Sequence, residues 1–144
     1  MAGLAAALQD ALHDDLLDGF EQLIHGELFS DFLDMAEHLL EKKFNVAAAV
    51  VAGCSLESHI RQLCIKNGLP VTEQKNGKTV HIRAAKMNDD LRAANVYDAN
   101  QNKIISSFLG TRNDAAHPTK KEITEGTVQA MTVGIRAFMV DYPA

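Results

Sequence analysis

The chain has 144 residues, enough for one domain with its own hydrophobic core. Hydrophobic residues make up 47% of it and charged residues 23%, which excludes an intrinsically disordered chain. The net charge of −5 argues against a protein that coats nucleic acid without specificity. Because the N-terminus lacks the basic segment of a signal peptide and the longest uncharged run, residues 44–56, is too short to span a bilayer, we expect a soluble cytoplasmic protein.

Charge is unevenly distributed along the chain. Residues 1–60 carry 2 basic and 11 acidic side chains, whereas residues 61–121 carry 11 basic and 5 acidic ones. The basic middle segment is thus flanked by acidic ends, although most charged residues only solvate helix surfaces.

Two amphipathic helices are predicted before residue 44. Residues 1–26 combine an apolar stripe of helical spacing with an acidic opposite face, and Gly26 is a plausible end. A second helix extends to about Lys43. Its predicted buried stripe consists of Leu28, Phe32, Met35, Leu39 and Leu40.

A long central helix is predicted from Asn45, which can cap it, to Asn67 and Gly68. Its first half is apolar on nearly all sides, and small residues there, Gly53 among them, allow a neighbouring backbone to approach closely. Glu57 and Arg61 stand four residues apart, a spacing that favours an ion pair between them.

Residues 69–83 break the helical pattern. Asn76-Gly77 between short β-prone runs predicts a hairpin turn, with an irregular basic loop as the equal alternative. Basic residues in and after this segment could contact a phosphate backbone, although a solvated loop is the commoner outcome. These candidate RNA-binding residues are Lys75, Lys78, Arg83 and Lys86.

Three further helices follow. A short one is predicted over residues 84–95, and another begins at Asp98 or Asn100 and turns Ile104, Ile105, Phe108 and Leu109 inward. The last is capped by Thr124, with Val128, Met131, Ile135 and Phe138 on one face. The chain is therefore predicted to be all-α: a single domain over residues 1–144, built as a compact bundle of five or six helices with an irregular or short hairpin segment around residues 69–83.

The stretch TRNDAAHP, residues 111–118, is the strongest candidate for a functional site. Pro118 pushes the preceding residue out of the helical region, so the helix should end near Ala116 and leave His117 outside it. Arg112 offers a permanently charged fork for phosphate oxygens, and His117 can exchange a proton near neutral pH. The alternatives are a surface arginine paired with Asp114 or a neighbouring helix, and a histidine that caps the helix end.

An Arg and His pair suits cleavage of RNA, because the 2′-hydroxyl of the substrate can act as the nucleophile without a metal. The reaction needs a base for the 2′-hydroxyl and an acid for the departing 5′ oxygen. One histidine cannot occupy both places. A two-fold dimer with this helix end at its interface would bring two arginines and two histidines to one cleft.

The residues quoted above resemble the HEPN family of all-α domains. That family carries an R-x4–6-H motif at the end of a late helix, often with a polar residue after the arginine, and Arg112, Asn113 and His117 fit it. The stretch AAAVVAGCSLESHIRQLCIKNG is similar to the long central helix of the family, in which Glu57 would face the motif. The likeness covers roughly residues 28–140, with Thr111 and Pro118 as departures from the common pattern.

The resemblance implies a homodimeric, metal-independent endoribonuclease that needs no cofactor, in a toxin–antitoxin or other defence system. It implies Arg112, His117 and Asn113 as catalytic residues, Glu57 and Arg61 as supporting ones, RNA as substrate and a cognate antitoxin as a further protein partner. Asn113 could equally hydrogen-bond the scissile phosphate or tie down its own helix.

Two other functions remain open at this stage. Some members of the family have lost activity, so a non-catalytic module for dimerisation and for binding protein or nucleotide is the main alternative. A helix–turn–helix protein that binds duplex DNA is disfavoured, because its recognition helix would carry only Lys103 and Arg112 as basic residues in a chain of pI about 5.6.

Overall fold

The computed structural model describes residues 31–117 and 121–144. These residues form five helices and one two-stranded antiparallel sheet. In chain order they are α1 (residues 31–41), α2 (Asn45–Lys66), β1 (Thr72–Lys75), β2 (Lys78–His81), α3 (Ala84–Ala93), α4 (Ala99–Ala116) and α5 (Glu125–Asp141). The predicted all-α bundle with a short hairpin is confirmed, while the predicted helix over residues 1–26 lies outside the described residues. Within those residues, no helix combines the length and the apolarity needed to cross a bilayer.

Helix α2 is the centre of the bundle and packs against α3, α4 and α5. Ala48, Ala49 and Ala52 on its first half are fully buried, as their small size predicts for a helix with close neighbours. The helix ends at the predicted place, and Gly68 follows in the left-handed conformation with φ 71°.

The predicted cap of α2 is wrong. Phe44 occupies the N-cap position, and Asn45 is already the first helical residue. The Asn45 amide instead donates a hydrogen bond of 3.3 Å to the carbonyl of Ile123, which precedes α5. The side chain of Asn45 therefore makes a tertiary contact in place of the predicted local cap.

The buried face of α1 differs from the predicted stripe. Leu33, Ala36 and Leu40 are buried, whereas Met35 is 51% exposed. The helix is oriented by α5, because Arg136 on α5 contacts Asp34 and Glu37 at 2.8 and 3.1 Å. Leu28, the first member of the predicted stripe, lies outside the described residues.

A hairpin, and not an irregular loop, connects α2 to α3. Asn76 and Gly77 have φ values of 54° and 76°, the left-handed geometry of a two-residue turn, and Lys75 pairs with Lys78 beside it. Both strands are largely exposed. Ile82 follows the second strand and is only 3% exposed, so it packs the end of the hairpin against the core.

The last two helices begin where local capping residues predict. The Asp98 carboxylate accepts a hydrogen bond of 2.9 Å from the backbone N–H of Gln101, and the Thr124 hydroxyl accepts one of 3.2 Å from that of Thr127. The predicted stripe of α5 is buried throughout, its members being Val128, Met131, Ile135 and Phe138.

The inward face of α4 was predicted less accurately. Ile105 and Leu109 are buried and Phe108 is half-buried, but Ile104 is 47% exposed. The four residues span an arc of about 140° at about 100° per residue, and the buried face is centred on Ile105 and Leu109, so Ile104 lies at its edge.

A buried polar network joins α3 to α4. The Asn88 amide donates to the carbonyl of Asn102 at 3.0 Å and to the hydroxyl of Ser106 at 3.1 Å. The Asn88 side-chain oxygen accepts a hydrogen bond from the Tyr97 hydroxyl. Asn102 in turn donates to the carboxylate of Asp89 at 3.0 Å. Because these groups are satisfied, the network fixes the position of α4, which carries the candidate site at its other end.

Candidate active site

The helix that carries the motif ends at the predicted residue. Helix α4 ends at Ala116, and His117 adopts an extended conformation with φ −123° and ψ 141°. Its backbone N–H donates to the carbonyl of Asn113 at 3.2 Å and closes the last turn. The histidine side chain is exposed, as a residue that leaves the helix axis should be.

Arg112 lies directly against Gly53 of α2. A Cβ atom placed on Gly53 would overlap the Cβ and Cγ atoms of Arg112. Only glycine lets the stem of this arginine cross the central helix at such a short separation. The close approach is a feature of the site, because it sets where the guanidinium of Arg112 can lie.

Glu57, one turn further along α2, pairs with the same guanidinium. Its Oε1 lies 3.5 Å from Nε of Arg112, and the two side chains are 26% (Arg112) and 29% (Glu57) exposed. Nη1 of Arg112 also donates to Oδ1 of Asn113 at 3.4 Å. Gly53 and the carboxylate of Glu57 therefore restrict where this side chain can lie, although Nε of Arg112 is buried without a hydrogen-bond partner among the described residues.

The ion pair expected between Glu57 and Arg61 is not formed within the described part of the chain. The carboxylate turns toward Arg112, and Nε of Arg61 is buried without a hydrogen-bond partner among the described residues. The i, i+4 spacing allows an ion pair between Glu57 and Arg61, but Arg112 on the neighbouring helix α4 competes for the carboxylate. Asp114, the other acid near the motif, contacts Lys121 at 3.5 Å.

Three arginines line one cavity of about 350 Å³, which we call the arginine cavity. It is lined by Glu57, Arg61, His81, Ile82, Arg83, Ala84, Ala85, Leu109, Arg112 and Asn113. Its charged groups are three guanidiniums and one carboxylate, so the cavity carries net positive charge. A cavity of this size and charge suits a phosphate group with an attached sugar or base.

His117 lines a different cavity of about 900 Å³, which we call the histidine cavity. Lys43, Phe44 and Asn45 at the start of α2 form one side of it, and Asp114 and Lys121 also line it. Oδ1 of Asn45 is buried there without a hydrogen-bond partner among the described residues. Within one protomer, Arg112 and His117 therefore line separate cavities.

Among the four basic residues predicted around the hairpin, Arg83 alone lines the arginine cavity. Lys75 and Lys78 flank the hairpin turn and are exposed. Lys86 forms an exposed ion pair of 2.8 Å with Asp90 on its own helix.

His81 is exposed at the end of β2 and also lines the arginine cavity. The signal that could have found it is its position at the end of β2, directly before the buried Ile82. That anchor holds this end of the hairpin beside α2 and α4.

His59 belongs to the core and not to the site. It is 4% exposed, its Nε2 donates to the carbonyl of Tyr142 at 2.8 Å, and its ring packs edge-on against Phe138. Burial lowers the pKa of His59 below its ordinary value, and the positive charge of Lys66 lowers the pKa further, against the opposing effect of the hydrogen bond. Neutral His59 connects the central helix to the end of the chain.

Across residues 31–117 and 121–144, no three His, Cys, Asp or Glu side chains are grouped as metal ligands would be. Cys64 is buried and Cys54 is exposed, so the two thiols lie in different environments. Burial is the main cause that raises the pKa of Cys64 to about 11, which keeps this thiol protonated at neutral pH.

Comparison of the chain with protein-family models, with curated proteins and with solved structures finds no match. The function is therefore argued from the geometry and chemistry of the site itself.

Proposed function

We propose that the protein is a homodimeric, metal-independent endoribonuclease, with Arg112 and His117 as its catalytic residues. The observation that carries the proposal is the placement of Arg112. Its stem lies against Gly53 and its guanidinium lies beside Glu57 at the wall of a positively charged cavity, and an exposed histidine follows five residues later, directly after the end of the same helix.

In the proposed reaction the 2′-oxygen of a ribose attacks the adjacent phosphorus. A new bond forms from this oxygen to phosphorus, and the bond from phosphorus to the 5′ oxygen of the next nucleotide breaks. A base removes the proton of the 2′-hydroxyl, and an acid gives a proton to the departing 5′ oxygen. The products are a 2′,3′-cyclic phosphate and a 5′-hydroxyl, so no water is consumed in this step.

Arg112 would bind the non-bridging phosphate oxygens and stabilise the negative charge that develops on them. Asn113, adjacent in sequence and hydrogen-bonded to Arg112 through its Oδ1, would donate its amide to the same phosphate. Glu57 would act as a positioning residue, because its carboxylate contacts the arginine. His117 would exchange the proton, since imidazole titrates near neutral pH.

The separation of Arg112 and His117 favours a site shared between two protomers. The two residues line different cavities of one protomer, whereas the chemistry requires them at one phosphate. A two-fold axis near the end of α4 would place His117 of one protomer at the arginine cavity of the other. In this arrangement each arginine cavity receives one histidine, contributed by the other protomer.

The test is incubation of total RNA with purified protein in the presence of EDTA. We expect cleavage of RNA, no cleavage of DNA, and 2′,3′-cyclic phosphate ends. Arg112→Ala and His117→Ala should each lower the rate at least a hundredfold. His38→Ala is the matched control, because this exposed histidine lies on α1 outside both cavities, and its rate should equal that of the wild type. Equal rates for His117→Ala and wild type would refute the catalytic role.

A non-catalytic nucleotide-binding module is the second candidate. It is favoured by two observations: Arg112 already has a carboxylate partner, and His117 lies in another cavity of the same protomer. This function predicts nucleotide binding that depends on Arg112, with no RNA cleavage at any protein concentration. The RNA incubation separates the two candidates.

A further inference from the structure

We propose that the arginine cavity contains a second phosphate subsite, in which Arg61 and Arg83 bind the backbone phosphate next to the scissile one. The identity of the strand as an RNA substrate rests on the function proposed above; the existence of the subsite rests on the cavity. The subsite would hold the single-stranded RNA in register, so that the phosphate at Arg112 is the one that is cleaved.

The charge of the cavity is the first argument. Glu57 is the one acid among its lining residues and contacts Arg112, so it leaves two guanidiniums uncompensated. Nε of Arg61 is buried without a hydrogen-bond partner in the described part of the chain. Because solvent cannot reach this nitrogen, an anion in the cavity would bind Arg61 through the other nitrogens of its guanidinium.

The setting of Arg83 is the second argument. Arg83 is exposed and forms no ion pair with any described residue, yet its position is fixed between the buried Ile82 and the first residue of α3. A positive group held in place by the backbone, without an acidic partner, is suited to an external anion. An anion would therefore not have to break a salt bridge with a described residue in order to bind Arg83.

The start of α3 adds to this charge. Arg83 is its N-cap residue, no described side chain caps the helix there, and its first turn contains no acidic residue. Ala84 and Ala85 of this turn line the cavity. Free backbone N–H groups at a helix N-terminus attract phosphate, so they reinforce a site that the arginines already define.

Binding of a short 2′-O-methyl oligoribonucleotide tests the subsite, since this strand cannot be cleaved by attack of its own 2′-oxygen. Its affinity is measured by fluorescence anisotropy across a series of salt concentrations. Arg61→Gln and Arg83→Gln should each weaken binding by roughly tenfold at low salt. Each should also reduce the slope of log K against log salt by about 0.7, the value for one phosphate contact in a single strand.

Arg92→Gln is the matched control. Arg92 is also exposed and lies on the same helix, but in its last turn and outside the cavity. This variant should retain the affinity and the slope of the wild type. Equal losses in Arg83→Gln and Arg92→Gln would show a general effect of charge and overturn the subsite.

A second variant separates binding from folding. Ala85→Glu places a carboxylate in the first turn of α3, where it stabilises the helix but repels phosphate. We expect a Tm no lower than that of the wild type, together with loss of oligonucleotide binding. Unchanged oligonucleotide binding in Ala85→Glu would overturn the proposal. Binding of inorganic phosphate by a wild-type protein that does not bind the oligonucleotide would also overturn it.

The subsite and the nuclease can fail separately. Arg83-dependent binding by a protein that does not cleave RNA would refute the proposed enzyme and leave the subsite standing. If Arg61→Gln and Arg83→Gln both cleave RNA and bind the oligonucleotide as well as the wild type does, the subsite is refuted. The proposed enzyme is then unaffected.

Discussion

Arg112 is the residue on which the site depends, and two residues of α2 determine where it lies. Gly53 leaves room for its stem, and Glu57 pairs with its guanidinium. A glycine inside a long helix is ordinarily a destabilising choice. Here the missing side chain allows α4 to bring Arg112 to the cavity. Replacing Gly53 therefore tests whether Arg112 is held by this packing or is an ordinary charged residue on the surface.

Gly53→Ala should displace Arg112 and lower the rate of RNA cleavage. The added methyl group overlaps the Cβ and Cγ atoms of the arginine, and these stem atoms cannot move without shifting the guanidinium or the helix. We expect a loss of at least tenfold in rate together with a lower free energy of unfolding. Cleavage assays and urea denaturation measure the two effects.

Gly110→Ala is the control for that substitution. Gly110 lies in the interior of α4, is exposed, and a Cβ there would meet no atom within 4 Å. Helix propensity alone should then raise the free energy of unfolding by roughly 0.5–1 kcal/mol. If Gly53→Ala stabilised the protein as much as Gly110→Ala does and left the rate unchanged, the account of Arg112 would be wrong.

At the level of secondary structure elements, the network around Asn88 holds α3 and α4 together. Tyr97→Phe removes the hydroxyl that donates to the buried Asn88 side chain and leaves its oxygen unsatisfied. We expect the free energy of unfolding to fall by about 1–3 kcal/mol in urea denaturation. Tyr142→Phe is the control, because Tyr142 has no hydroxyl hydrogen bond with a described residue, and a change below about 0.5 kcal/mol is expected. Similar losses in both variants would contradict the role of the network.

His59 makes the contact between α2 and the end of the chain sensitive to pH. Its pKa in the folded state is lowered, chiefly by burial, from an ordinary value near 6.5. Below that value the unfolded chain binds a proton that the folded chain does not, so stability falls as the pH falls. We expect Tm to decrease between pH 7.5 and pH 5.5.

The contribution of His59 is isolated by substitution. His59→Gln retains an amide donor for the carbonyl of Tyr142 but does not titrate, so the decrease in Tm over this pH range should become smaller. His38→Gln, at an exposed position on α1, should leave the decrease as it is in the wild type. A pH profile of His59→Gln identical to that of the wild type would refute this assignment.

Elements set by local chemistry were predictable from the sequence. Asp98 and Thr124 cap their helices, Asn76-Gly77 forms the hairpin turn, and α4 ends directly before His117. Each of these features depends on residues within a few positions of one another. That is why a local pattern was sufficient.

Features decided by tertiary contacts were not predictable from local spacing. Asn45 binds the carbonyl of Ile123 instead of capping α2. For Glu57, spacing favoured Arg61 and the family resemblance favoured the motif, and the packing of α4 selects Arg112. The joint placement of His81, Arg83 and Arg61 at one cavity depends on how the hairpin packs beside α2 and α4. Spacing along the chain offers several partners for such side chains, and the packing of helices selects one.

In the whole protein we expect two protomers to complete each site. One protomer presents Arg112 at the arginine cavity and His117 at the histidine cavity. A dimer should therefore be measurable by analytical ultracentrifugation at the concentrations used in the cleavage assay. Its interface would include the end of α4, where both residues are found.

Mixing two inactive variants tests whether the site is shared between protomers. Arg112→Ala and His117→Ala are unfolded together and refolded as a mixture, so that heterodimers form beside the two homodimers. In a shared site, the intact arginine of one chain meets the intact histidine of the other. We predict that the mixture cleaves RNA in EDTA faster than either variant alone. A mixture that forms heterodimers, but is no faster than the more active variant, would contradict a site built from Arg112 of one protomer and His117 of its partner.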